Sequence, residues 1–565
     1  MKTSSRALLA LALLATAACS NDNKPLQQAL QKEHPKNLIA EKVLSSSREV
    51  DNWFTKDPEI DQAEGTSADK AYDLLNLQHK KEIIVAVIDS GVDIHHEDLQ
   101  GKIWTNKGEI ANNGIDDDAN GYVDDVSGWN FIGGVDANGK PTHIDAEQLE
   151  VTRELIKMKS KKKSLEDQGM SLSEKDQAYF DKLDAEVKEA LVTADQMLEV
   201  LGKYIADLKT NYEVLKDLLK VSFEQVSLVQ VSALATTTEA EAKAKENMVA
   251  IFKAGNAKDV ARFLRVQGVY ADDKNYYYNE QFLPRAEIVK DEPENFDDVT
   301  YGNNDVIGPG ADHGTHVAGI IAADRNNSLG VRGVAQNVKI MALRVVPNGD
   351  ERDKDVALAV KYAADNGANV INMSFGKGYS PQRTQVGEAF KYAEEKGLLI
   401  MHAAGNESTD RDQEDRYPTR RVYSEAGEVI DTVGTWLDVG ASSQFKDRTL
   451  TATFTNFGQT QVDLFAPGVN LNSTVPGNKY AVFSGTSMAC PSAAGVAALV
   501  WSQMPELSAQ ELKARLMGTV RSRAGLSVRL PSDHAKDVPF ETLSITGGIS
   551  DAYSAIVGVM TGVAL

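Results

Sequence analysis

Residues Thr486 to Val500 read Thr-Ser-Met-Ala-Cys-Pro-Ser-Ala-Ala-Gly-Val-Ala-Ala-Leu-Val, with no charged side chain. A run of this length that is apolar all round predicts a turn feeding a buried helix. Ser487 opens the run after the Gly485-Thr486 pair. At a helix start its hydroxyl meets unpaired backbone N–H groups and the positive end of the helix dipole. Two readings stand there. Ser487 is an N-cap, or it is a nucleophile whose oxyanion those groups stabilise once a base activates it. The second reading needs a base, and a group to orient the base.

The chain has 565 residues, too many for one compact core of typical size, so two or more units are expected. Its net charge of −22 argues against a nucleic-acid partner and is compatible with cation sites. The only cysteines, Cys19 and Cys490, exclude a disulfide framework. Lys2 and Arg6 precede the apolar run Ala7 to Ala15 and the small residues Thr16-Ala17-Ala18. That pattern reads as a secretory signal over 1–18, too short to span as a mature helix. Cys19, just after it, resembles the lipidated cysteine of bacterial lipoproteins, which implies an exported chain anchored to a membrane. The site is periplasmic or on the cell surface. Thr16 departs from that pattern, which has an aliphatic residue there. The alternative is an ordinary signal peptide with an incidental cysteine.

Residues 19–80 read as an N-terminal extension whose first part, 20–50, is polar, a tether or a partly helical segment. The β-branched run Ile83 to Ile88 then ends in Asp89-Ser90-Gly91, a buried parallel strand with Asp89 at its carboxyl end. Asp89 either terminates the strand or stands at the sheet edge where sites form. Oxygen side chains at Asp116, Asp118, Asn120 and Asp124, with Gly121 at the turn, resemble a calcium loop. Ser127 takes the twelfth position, where an EF-hand has glutamate, so this is a different kind of calcium loop or an acidic surface loop. From 134 to 300 the composition turns to alternating charges with few glycines. Leu191, Ala194, Leu198, Leu201, Ile205, Leu208, Tyr212, Leu215 and Leu219 alternate by fours and threes, a coiled-coil-like seam. Thr238 caps a second helix over 239–254. These features predict an inserted α-helical domain at 134–300, between a first α/β part at 81–133 and a second at 301–558. In the second part, strands at 339–346, 370–374 and 398–404 alternate with helices at 355–366 and 385–396. The pattern is a doubly wound, mostly parallel sheet.

Asp89, His313 and Ser487 thus all fall at element ends of one α/β domain. In that order they supply an orienter, a base and a nucleophile, and Asn406 after a strand supplies a side-chain oxyanion donor. The stretches Val87-Ile88-Asp89-Ser90-Gly91, His313-Gly314-Thr315-His316-Val317-Ala318-Gly319 and Gly485-Thr486-Ser487-Met488-Ala489-x-Pro491 resemble the three signatures of the subtilisin-like serine peptidases. The resemblance covers 83–132 and 300–558. It implies a serine endopeptidase acting on proteins and peptides through an acyl-enzyme, with no organic cofactor. It further implies that Asp89, His313 and Ser487 form the triad and that Asn406 completes the oxyanion hole. Ser374-Phe375-Gly376 would pair with the substrate strand, and Glu407 would lie by the primary pocket, where it favours a basic residue. Asp98 and Asn327 side chains with Leu329 and Val331 carbonyls would form the family's tight calcium site, in a loop one residue longer here.

The chain departs from the family in three ways. Asp89 and His313 stand 224 residues apart, so the helical insertion splits the domain. Ser492 follows Pro491, where many relatives have histidine. Residues 20–50 are short for a folded inhibitory propeptide, so folding is assisted otherwise or by the insertion. The closing segment Gly547 to Tyr553 leaves no room for a large C-terminal module. Two alternatives to a broad endopeptidase remain: a dedicated maturation protease for a few exported proteins, and a non-catalytic surface-binding lipoprotein.

Overall fold

The computed structural model describes residues 24–30, 52–78 and 80–558. Cys19 and the expected signal peptide lie outside the described residues. The chain divides into two compact units. One is α/β, formed by the described residues of Pro35–Glu154 and Gln281–Leu565; the other is helical, formed by those of Met1–His34 and Leu155–Glu280.

Nine strands build the sheet of the α/β unit: β1 (Ile83–Asp89), β2 (Gly128–Asn130), β3 (Val338–Arg344), β4 (Val370–Met373), β5 (Leu399–Ala403), β6 (Trp436–Ser442), β7 (Leu464–Pro467), β8 (Arg521–Ser522) and β9 (Gly548–Ile549). Their order is β8-β9-β7-β6-β5-β4-β1-β3-β2, parallel throughout except between β8 and β9. Helices α1 (Asp312–Ala322), α2 (Asp353–Asp365), α3 (Arg383–Glu395) and α4 (Thr486–Gln503) cover it. Strand β1 shows why its sequence lacks polar alternation. Val85 and Val87 pack into one core with Val317 and Ile321 of α1 and Val496 and Val500 of α4. Ala86 and Ile88 pack into the opposite core with Val356 and Val360 of α2 and Phe390 of α3. A strand buried on both faces must be apolar at every step.

Helix α4 is buried at every residue except Ser487. Pro491 sits inside it and lacks the N–H that would bond the carbonyl four residues back. That carbonyl belongs to Ser487, and the Ser374 hydroxyl donates to it instead at 3.0 Å. The proline therefore frees a carbonyl that ties α4 to the segment after β4. Ser492 fits the same crowded face: its Oγ lies 3.0 Å from the Pro467 carbonyl and 2.9 Å from that of Met488.

In the helical unit the longest element runs Glu174–Leu219, 46 residues. Ala194, Leu201, Leu208 and Leu215 recur every seven residues and are buried with Met248, Phe252 and Phe263 from helices Glu239–Gly255 and Val260–Asp272. Leu198, Ile205 and Tyr212 flank that core, as the seam requires. Thr238 caps the Glu239–Gly255 helix through the Glu241 N–H. Residues 24–30 take the helical alternative. Helix Lys24–Ala29 adds Leu26, Ala29 and Leu30 to this core.

The insertion is shorter than its composition suggests. Residues 134–154 and 281–300 belong to the α/β unit. Key charges in these two segments are buried and paired. Lys377 Nζ lies 2.8 Å from Glu150 and 2.7 Å from Asp353, and Arg153 bonds Glu150 through Nη2 at 2.6 Å. Arg285 bonds both Asp291 and Asp355 at 2.7 Å. Removing one partner of such a cluster strands the others in a low dielectric. Lys377→Met is expected to lower the unfolding free energy of the α/β unit by about 3–5 kcal/mol in urea titrations. A loss below about 1 kcal/mol, the range of an exposed pair, would contradict it.

Candidate active site

The carboxyl end of the sheet gathers the groups that the sequence singled out. Asp89 closes β1, and His313 is the second residue of α1. His313 Nδ1 lies 2.7 Å from Asp89 Oδ1. Asp89 is 1% exposed, and the same oxygen accepts the Ser90 N–H at 2.7 Å. With Nδ1–H directed at the carboxylate, Nε2 is left as the basic nitrogen. Two bonds fix α1 against the loop after β1. Ser90 Oγ donates to the Gly310 carbonyl, and the Asp93 N–H donates to Thr315 Oγ1, each at 2.8 Å. Gly314 permits this approach, since a Cβ there would stand 2.2 Å from the Gly91 carbonyl oxygen.

Ser487 is the second residue of α4. Its hydroxyl donates to the Ser374 carbonyl at 3.1 Å, so its proton is not on His313 in this state. Thr486 organises the oxyanion side. Its N–H and hydroxyl both reach Asn406 Oδ1, at 2.8 and 3.0 Å, and its Oγ1 accepts the Gly405 N–H at 3.1 Å. With Oδ1 held, the Asn406 amide keeps Nδ2 as its free donor. The N–H groups of Thr486 and Met488 are taken by Asn406 and by the Gly485 carbonyl. The Ser487 N–H between them is one of the open donors of the helix start. An oriented base, a hydroxyl and two such donors are a set able to carry acyl transfer. Thr486 was missed in the sequence reading, although its place beside Ser487 was a signal.

His316 is no metal ligand. It is fully buried, Nε2 faces the carbonyls of Leu471 and Ala481 at 3.1 and 3.0 Å, and the ring stacks on Phe483. Cys490 is also structural. Burial pushes its thiol pKa well up.

The subtilase family model matches residues 80–530. The chain belongs to the subtilase family. It is 43% identical over 192 residues to the thermophilic serine proteinase of Bacillus sp. (strain AK1), covering 34% of this chain and 43% of that one. To subtilisin Savinase of Lederbergia lenta it is 38% identical over 214 residues, covering 38% and 71%. Several relatives, such as the alkaline elastase YaB of Bacillus sp. (strain YaB), are matched over about half their length. Among solved structures, a protease of Pseudoalteromonas arctica matches with TM-score 0.36 at 27% identity, covering 45% of this chain and 78% of that one. A cold adapted subtilisin-like serine proteinase matches with TM-score 0.34 at 30% identity, covering 43% and 77%.

Beside Ser487 this subtilase has an open cleft. Ser374, Phe375 and Gly376 form one wall, and Ala403 to Glu407 the other, above His402 and with Arg411 and Arg416. Glu407 is engaged: its Oε2 accepts Asn456 Nδ2 at 2.6 Å, and Arg416 lies 3.9 Å from its Oε1. The expected basic preference therefore meets a carboxylate already in use.

The two expected calcium sites differ. Asp98 receives three donors: Asn327 Nδ2 at 2.7 Å, the Val331 N–H at 3.1 Å and the Tyr480 hydroxyl at 3.2 Å. The Leu329 N–H donates to Asn327 Oδ1 at 3.0 Å. In this arrangement the Asp98 carboxylate is shared by an amide, a backbone N–H and a phenol. In the second loop, Asp116 accepts the N–H groups of Asn120 and Gly121, and Asp124 those of Asn113 and Gly114. Asn120 Oδ1 accepts the Tyr122 N–H. These side chains hold the loop's shape. The oxygens that converge are those of Glu109, Asp118 and Asp125, all within 4.8 Å of one another. Burial raises the Asp125 pKa, and Asp118 nearby adds to it.

His316 also sets a pH dependence. Burial depresses its pKa to about 3, against a partial opposing effect of the two carbonyls. The unfolded chain takes up that proton first, near an ordinary value of about 6.5. Its contribution to stability is therefore complete above about pH 6.5 and erodes as the pH falls toward 3. The expected slope is about 1.4 kcal/mol per pH unit for this one proton. Chemical denaturation at several pH values should show a shallower acid loss for His316→Gln than for the native chain; parallel curves would refute it.

Proposed function

We propose that this subtilase is an exported serine endopeptidase, held to a membrane by lipid on Cys19, that hydrolyses peptide bonds through an acyl-enzyme on Ser487. The observation that supports it most is the 2.7 Å contact between His313 and Asp89 on the same sheet edge as Ser487 and the free amide of Asn406. Ser487 Oγ rotates away from the Ser374 carbonyl and gives its proton to His313 Nε2 as it bonds to the scissile carbonyl carbon. Asn406 Nδ2 and the Ser487 N–H receive the oxyanion. Asp89 keeps Nδ1–H and stabilises the imidazolium. His313 then protonates the leaving nitrogen as the C–N bond breaks. Water, deprotonated by His313, attacks the acyl carbon and restores Ser487.

Ser374 to Gly376 supports substrate binding as a strand edge, the mode in which a peptide adds main-chain bonds to a sheet. Calcium is assigned to Glu109, Asp118 and Asp125, where it would neutralise a partly buried cluster and brace the loop; no step of the reaction passes through it.

Purified native chain should cleave casein and label with a fluorophosphonate, and Ser487→Ala should do neither. Asn406→Ala should lower kcat by about 100- to 1,000-fold with labelling retained. Equal turnover by the native chain and Ser487→Ala would sink the proposal. Chelation should lower the Tm of the native chain and leave that of Asp118→Ala unmoved. An unmoved native Tm would remove calcium from this loop.

A further inference from the structure

The primary pocket holds more positive than negative charge. Arg411 is 5% exposed, and no carboxylate among the described residues lies within ion-pair distance of it. Its Nη1 donates to the Ala404 carbonyl at 2.8 Å and its Nη2 to the Arg416 carbonyl at 3.4 Å, while the buried Nε has no acceptor. The Arg416 side chain is 28% exposed, and its nearest carboxylate is Glu407 at 3.9 Å. That distance exceeds the 2.7–2.9 Å or so of a charge-assisted hydrogen bond, so the Arg416 fork is open. Among the described residues Glu407 is the only anion on the pocket wall, and it also serves Asn456.

The anion behind the pocket does not redress the balance. His402 lies between its Asp438 Oδ1 contact at 2.6 Å and the Phe375 carbonyl at 3.1 Å. The other oxygen of Asp438 accepts Trp436 Nε1 at 2.9 Å and Arg420 Nη2 at 3.0 Å. Arg420 is shared in turn with Asp463. Asp438 is thus consumed by groups behind the wall.

We infer that the pocket selects an acidic side chain, of the glutamate class, at the residue whose carbonyl Ser487 attacks, with Arg416 as the specificity-determining residue and Arg411 as the buried charge behind it. This deepens the endopeptidase reading and rests on it. A carboxylate entering the cleft takes the open fork of Arg416 and balances the surplus charge. A lysine or arginine enters beside two guanidinium groups and finds Glu407 already shared. An apolar side chain fills the cleft, strips water from both guanidinium groups and returns no acceptor.

The test uses the full-length protein and a series of acyl-tripeptidyl-Xaa 4-nitroanilides with Glu, Gln, Lys and Phe at Xaa. The native chain should show kcat/KM for Glu above that for its isostere Gln by about tenfold or more, with Lys slowest. In Arg416→Gln the Glu-to-Gln ratio should fall by about ten- to a hundredfold, and Arg416→Glu should prefer Lys to Glu. Fluorophosphonate labelling of Ser487 reports the folded site in every variant without using the pocket. A native Glu-to-Gln ratio near one overturns the inference, and so does a ratio that Arg416→Gln leaves unchanged. Neither result touches the endopeptidase reading while the other substrates are cut. A native chain that neither labels nor cuts any substrate overturns that reading, and the pocket inference with it.

Discussion

The contact between Asp89 and His313 closes 224 residues of chain at 2.7 Å, and the rest of the structure serves to hold it. Loop length is not the obstacle. Each doubling of a closed loop costs only about 0.6 kcal/mol in the flexible-chain limit. The demand is positional, because a base displaced by an ångström loses its alignment. Both partners are set by one core: β1 and α1 share Val85, Val87, Val317 and Ile321. The segments that lead away from this unit and return to it, 134–154 and 281–300, are clamped by the Lys377 and Arg285 ion clusters.

Helix α4 links that scaffold to the chemistry. Pro491 releases the Ser487 carbonyl to Ser374, and Thr486 takes Asn406 Oδ1. Ser487, Asn406 and the segment after β4 are therefore joined by hydrogen bonds that Ser374 and Thr486 make. The two sides of the cleft differ in character. Around Ser487 the one carboxylate, Asp89, is held by His313 and the Ser90 N–H. Around Arg411 and Arg416 charge is left in surplus, and that surplus addresses the substrate.

The fold was largely legible from the chain. Strands buried on both faces read as apolar runs, α4 as a helix without a polar face, and Asp89, His313 and Asn406 as polar ends of those elements. Thr238 and the seven-residue recurrence from Ala194 to Leu215 showed the helical unit equally well. Charge was the misleading signal. Glu150, Arg153 and Arg285 fall within the expected insertion and are buried in the α/β unit. Asp116 and Asp124 were spaced as ligands and serve as caps for backbone N–H groups. Asp98 accepts bonds from Asn327, Val331 and Tyr480 that its sequence neighbours do not reveal.

The sequence by itself determined the elements and the chemical types at their ends. Burial periodicity and turn residues are local properties, and the three motifs each lie within nine residues or fewer of contiguous chain. Tertiary structure alone decided which charges meet. Glu109 joins Asp118 and Asp125 across a folded loop, Tyr480 reaches Asp98 from a distant hairpin, and Arg416 comes to 3.9 Å from Glu407. A carboxylate becomes a ligand, a cap or an ion-pair partner according to what lies within about 4 Å of it, and spacing along the chain does not encode that distance.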